Sequence, residues 1–248
     1  MKPPSNYPTF PEPKDRLAVA LDFPSAKPAL DLVDRLAGTC RWFKVGMELY
    51  YATGNGLIED LRNRGLQVFL DLKLHDIPNT VAGGIRSATE AGASLLTIHA
   101  GGGPAMMAAA AEAAAALSGS PRLLAVTVLT SMDVNELTAV GIASSPAEQV
   151  IRLATLAKRA GIDGMVCSAE EISPLRTELG NETMLVIPGI RPSGSDIGDQ
   201  KRIATPGVAI ERGASMLVVG RPITRAADPA KAAESILDEI ARASRASS

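Results

Sequence analysis

Residues 71–80, Asp-Leu-Lys-Leu-His-Asp-Ile-Pro-Asn-Thr, place two carboxylates, an ammonium and an imidazole within six positions, directly after the apolar Val68-Phe69-Leu70. On an extended strand alternate side chains share a face, so the pattern predicts Asp71, Lys73 and His75 together, opposite Leu72 and Leu74. Buried ions cost several kcal/mol each unless they neutralise one another. An acid set beside a base where packing would want apolar groups is therefore a candidate for charge stabilisation and proton transfer.

Further polar residues interrupt other apolar runs in the same way. Asp22 closes Leu17-Ala18-Val19-Ala20-Leu21, Lys44 lies inside Trp42-Phe43-Lys44-Val45, and His99 closes Leu95-Leu96-Thr97-Ile98. Thr130 and Ser131 follow 122–129, Arg191 follows 183–190, and Arg221 follows Leu217-Val218-Val219-Gly220. Two Asp and two Lys, on the first three runs and pointing the same way, are hard to explain as packing.

The elements that must hold these residues repeat along the chain. Apolar runs at 17–23, 41–47, 67–74, 95–100, 122–130, 164–169, 183–190 and 215–221 each lead into a loop and a helix-like stretch, often closed by glycine. The runs are apolar on both faces, as parallel strands buried beneath helices are. Eight strand–helix units predict a single-domain (β/α)8 TIM barrel over 15–248, behind a proline-rich arm over 1–14. A doubly wound open sheet would want a Gly-x-Gly-x-x-Gly turn after its first strand, and Leu21-Asp22-Phe23-Pro24-Ser25-Ala26 is not one. Barrel enzymes carry their chemistry at the C-terminal ends of the strands, which is where the polar residues fall.

With 46% hydrophobic residues the 248-residue chain can bury a large core, and a net charge of −2 gives nucleic acid or anionic lipid no foothold. Cys40 and Cys167 are too few for a disulfide framework or a zinc site, which suits a reducing cytoplasm. The N-terminal arm lacks the apolar segment of a signal peptide, and the alanine tract 105–117 is too short and too broken by Glu112 to span a membrane. A soluble, cytoplasmic protein is expected.

Two further features concern ligands. The loop 188–206 after the seventh run is long enough to act as a lid. The Gly220-Arg221 pair after the eighth run suits the phosphate site that barrels build there, with backbone N–H groups at Gly220 and a guanidinium at Arg221. A metal site would need clustered His, Asp and Glu. Here lysines stand where extra carboxylates would be wanted, so no metal is expected. His75 and His99 are read as structural.

The motifs ALDF (20–23), FKVGMELY (43–50), DLKLHDIPNTV (71–81), VLTSM (128–132), PGIRP (188–192), DQKR (199–202) and VVGRPIT (218–224) together resemble the orotidine 5'-phosphate decarboxylase family in its bacterial form. The resemblance spans about residues 15 to 240. It implies decarboxylation of orotidine 5'-phosphate to UMP, the last step of de novo pyrimidine synthesis, without any cofactor. It further implies that Asp71, Lys73 and Asp76 surround the reacting carbon, with Lys73 as proton donor and flanking carboxylates favouring its charged form. Lys44 would join that network and bind a ribose hydroxyl. Asp22 would hold the ribose or pyrimidine side and Thr80 the ribose, Thr130 and Ser131 would face the pyrimidine edge, and Pro188 would be a further substrate contact. Arg191, Gln200, Gly220 and Arg221 would take the phosphate. Asp76 and Thr80 would reach into a neighbouring subunit's site, which implies a homodimer with shared active sites. Magnesium-dependent sugar-phosphate enzymes such as hexulose-phosphate synthase share Asp-x-Lys-x-x-Asp, but want an acidic ligand on the second strand, where this chain has Lys44. A silent phosphate-binding barrel would need no Lys73.

Overall fold

Eight parallel strands close into a barrel in sequence order: β1 (Leu17–Ala20), β2 (Trp42–Gly46), β3 (Gln67–Leu74), β4 (Leu95–His99), β5 (Arg122–Val126), β6 (Gly164–Val166), β7 (Met184–Ile187) and β8 (Met216–Val219), with β8 pairing back onto β1. The computed structural model describes residues 10–162, 164–193 and 204–246. Each apolar run of the sequence contains its strand. The strands stop early wherever the run turns into the barrel mouth: the fifth run reaches Thr130, but β5 ends at Val126. The last helix spans Pro229–Ala246.

The period-2 alternation divides the strand side chains into two cores. Leu17, Val19, Phe43, Val45, Val68 and Leu70 point outward and are covered by helices. Ala18, Ala20, Trp42, Phe69, Leu95, Leu124, Met184, Val186, Met216 and Val218 fill the barrel itself. The two alanines of β1 leave the space that Trp42 and Phe69 occupy, so large and small residues alternate across the interior.

The N-terminal end of the barrel is shut. Phe10 packs on Trp42 with ring centroids 5.9 Å apart, and the buried Asp15 carboxylate pairs with Arg41 Nη1 at 2.6 Å. Arg16 donates to the carbonyls of Ala214 and Ser215 and, at 2.8 Å, to Ser244 Oγ, which ties the chain start to β8 and the last helix. Polar residues that need solvent or a ligand are thus left to the opposite, C-terminal mouth. Cys40 and Cys167 are both buried and free, and burial pushes the Cys40 thiol up to about 12. No helix among the described residues is long and apolar enough to cross a membrane.

Candidate active site

The site begins with an irregularity in β3. Leu70 pairs with Leu96 of β4, yet Leu74 pairs with Ile98, so β3 carries extra residues between the two points. This is a bulge, which bends a strand and re-aims its side chains. Lys73 sits in it with φ 51°, the one positive φ at a non-glycine among the described residues. A left-handed backbone at a non-glycine costs on the order of 1–3 kcal/mol and concentrates at functional sites. Asp71 and Lys73 converge while Leu72 and Leu74 pack against the outer core, and His75 sits exposed at the rim, stacked on His99.

Four charged side chains, Asp22 just past the end of β1, Lys44 on β2, and Asp71 and Lys73 on β3, alternate in sign across the mouth. Lys44 Nζ lies 3.1 Å from Asp22 Oδ1 and 3.6 Å from Asp71 Oδ2, and Lys73 Nζ lies 2.9 Å from Asp71 Oδ1. Exposure grades outward: the Lys44 and Asp71 side chains are 11% and 15% exposed, Lys73 30% and Asp22 64%. Burial alone would raise the Asp71 carboxyl. The charges of Lys44 and Lys73, with bonds from Lys73 and Thr97, more than offset it and hold the group below its ordinary value.

Two residues that the sequence reading missed complete the network. Thr97 is fully buried on β4; its hydroxyl accepts the main-chain N–H of Lys73 at 2.8 Å and donates to Asp71 Oδ1 at 3.0 Å. A threonine in an apolar strand looks like an ordinary β-former. The available clue is parity, since Leu95, Thr97 and His99 share one face. Gly46 is the other: a Cβ there would stand 3.1 Å from Lys44 Nζ, so its bare backbone leaves room for the ammonium.

Lys44, Asp71 and Lys73 line a cavity of about 160 Å³ with Thr130, Pro188, Val126, Val166 and Cys167. Two cavities are larger: one of about 780 Å³ beside the helices that follow β5 and β6, which meets the mouth at Thr130, and one of about 720 Å³ at the shut end near Phe10. Among the described residues the alternating Asp and Lys side chains gather at the smaller cavity, so chemistry rather than size marks the site.

The other candidates spread around the mouth. Asp76 and Thr80 are exposed on the outer rim, and the Asp76 carboxylate accepts the N–H of Ile77 at 2.7 Å instead of joining Lys73. Ser131 lies in an exposed turn beside Thr130. Arg191 is buried, donates to the carbonyl of Ile190 at 2.8 Å, and receives its position from an isolated parallel bridge between Ile190 and Ala204. Gly220 precedes the short helix Arg221–Thr224, which opens with Arg221 at the end of β8. Gln200 and most of the expected lid, 194–203, lie outside the described residues. Among the described residues no three His, Cys, Asp or Glu side chains gather as metal ligands.

Comparison with known proteins fits this architecture. A family profile for the orotidine 5'-phosphate decarboxylase / HUMPS family matches residues 15–236. A Bradyrhizobium orotidine 5'-phosphate decarboxylase is 53% identical over 237 residues, covering 95% of this chain and 96% of that one. The Vibrio campbellii protein of the same name is 50% identical over 228 residues, covering 91% and 97%. The crystal structure of orotidine 5'-phosphate decarboxylase from Lactobacillus acidophilus superposes with a TM-score of 0.81 at 40% identity, covering 90% of this chain and 98% of that one. With a closed barrel, a charged mouth and matches along nearly its whole length, the chain belongs to the orotidine 5'-phosphate decarboxylase / HUMPS family.

Proposed function

We propose that the chain decarboxylates orotidine 5'-phosphate to UMP and that the Asp22–Lys44–Asp71–Lys73 network carries the reaction. Breaking the bond between C6 and the carboxylate leaves the electron pair on C6 as CO2 departs. No ring carbonyl delocalises that in-plane pair well, so a fixed charge must stabilise it. The ammonium of Lys73 supplies the charge and then the proton that forms the C6–H bond, and solvent returns a proton to the amine. The observation that carries this reading is Lys73 Nζ, held 2.9 Å from Asp71 at the open mouth on a backbone bulge with φ 51° at Lys73.

The remaining residues take supporting roles. Asp71 directs Lys73 and stands beside the position of the departing carboxylate. Thr130 and Ser131 border the pyrimidine, Pro188 lines the same pocket, Lys44 binds the ribose, and Asp22 holds the ribose or pyrimidine side. Arg191, Gly220 and Arg221, with Gln200, receive the phosphate, whose binding energy is then available to organise the distant reacting centre. No cofactor enters this scheme. A magnesium-dependent sugar-phosphate reaction is disfavoured by Lys44, whose ammonium fills the space between Asp22 and Asp71 where a metal would need an acid.

The reading extends to a cytoplasmic homodimer in which Asp76 and Thr80 complete the partner's site. It is supported by their exposure on the rim, by Ile77 beside them at 67% exposed, and by the exposed Met47 that opens the helix directly after β2. Two buried free thiols suit a reducing compartment. The test of the activity is direct. Purified protein should bleach the absorbance of orotidine 5'-phosphate, and Lys73→Ala should lose that turnover by at least about a thousandfold while keeping its thermal transition. Retention of a tenth of wild-type turnover would remove Lys73 from the chemistry.

A further inference from the structure

None of these roles uses the two histidines. His75 leaves the end of β3 and His99 the end of β4, and their rings stack with centroids 5.2 Å apart and planes 14° from parallel. Nδ1 of His99 accepts the N–H of Gly101 at 3.1 Å, so that nitrogen carries no proton and the neutral ring holds its hydrogen on Nε2. Burial first, then the charges of His75 and Lys73, lower the pKa of His99, which keeps the ring neutral and the bond to Gly101 intact at neutral pH.

The loop behind the rings is shaped to admit them. A Cβ at Gly101 would lie 3.0 Å from His99 Nδ1, and one at Gly102 would lie 3.2 Å from His75 Cδ2 and 2.1 Å from Met106 Sδ. The glycines that follow β4 therefore leave the space in which the pair sits. His75 is nonetheless exposed, so core packing gives little reason for a ring there.

Its place in the chain supplies a reason. At the bulge β3 gives up regular pairing, and the backbone is held to β4 by the Lys73 N–H on Thr97 and by the contact of Leu74 with Ile98. The next tie is the ring of His75 on His99. Beyond it come Asp76 and the helix Pro78–Ala91. We propose that the His75–His99 stack is a positioning device that fixes the path of the chain from Lys73 to Asp76, so that both residues are set for the reaction.

The proposal rests on the decarboxylase reading, and one set of variants separates the two. Turnover of orotidine 5'-phosphate by wild type, and its loss in Lys73→Ala, report on the reading itself. His75→Ala, His75→Gln and His75→Phe, measured against wild type, report on the stack. A misplacement of about 1 Å costs on the order of a hundredfold, so His75→Ala and His75→Gln should lower kcat by about tenfold to a hundredfold. KM and the thermal transition should stay near wild type. His75→Phe, which restores a flat ring over His99 without a titrating nitrogen, should recover most of the lost kcat. The proposal is overturned if His75→Ala turns over like wild type, or if His75→Phe is as slow as His75→Ala.

Discussion

One hydroxyl at Thr97 orients both members of the central ion pair, because it accepts from the backbone of Lys73 and donates to the carboxylate of Asp71. Asp71 is thereby surrounded by donors, and the pH dependence of its contribution follows. Its pKa is depressed from the ordinary value of 3.8. A depressed carboxyl contributes stability that is fully present above the unfolded value and lost as pH falls through the lower folded value. Relative to Asp71→Asn, the wild type should gain unfolding free energy as pH rises from about 2 to 5 and then hold a constant difference up to about 8. Urea unfolding across that range checks it, and a difference still changing above about pH 5 would place another group in control. At this scale the sequence speaks well for charge and poorly for partners. Asp22, Lys44, Asp71 and Lys73 stand out because ions interrupt apolar runs. Thr97 and Gly46 do not, since a threonine and a glycine acquire meaning only from what they face.

At the scale of elements the strands were legible and the bulge was not. Eight runs of β-branched and aliphatic residues, punctuated by glycine, give eight parallel strands because both faces of each are buried. A bulge needs knowledge of the partner register, and no local pattern in Asp71-Leu72-Lys73-Leu74 announces it, so the shift against β4 and the left-handed backbone of Lys73 went unforeseen. The short β6 shows how tightly the regular part is fitted. A Cβ at Gly164 would stand 2.3 Å from Leu124 Cδ2 and 2.9 Å from the carbonyl oxygen of Leu123, so the close approach of β6 to β5 depends on this glycine. Gly164→Ala should destabilise by about 1–3 kcal/mol, the usual range for overpacking a filled interior. The expected readout is a lower denaturation midpoint with unchanged slope. An unchanged midpoint would mean that the β5–β6 seam yields without cost.

The whole molecule presents a barrel shut at one end by Phe10 on Trp42 and open at the other, where the charged network meets solvent. In the isolated chain the Asp76 carboxylate accepts from the N–H of Ile77 rather than from Lys73, and this is where the shared-site reading makes its strongest demand. Take a Lys73→Ala protein and an Asp76→Ala protein, each expected to be inactive alone. In a mixed dimer one site receives both lesions and stays dead. The other takes Lys73 from one chain and Asp76 from the other, and is whole. Random reassortment of equal amounts makes about half of the dimers mixed, so roughly a quarter of wild-type activity should return if the sites act independently. Native mass measurement establishes that reassortment has occurred. If mixed dimers form and no activity appears, Asp76 acts on its own chain's site, and the segment after β3 must then swing inward over Lys73 when substrate binds.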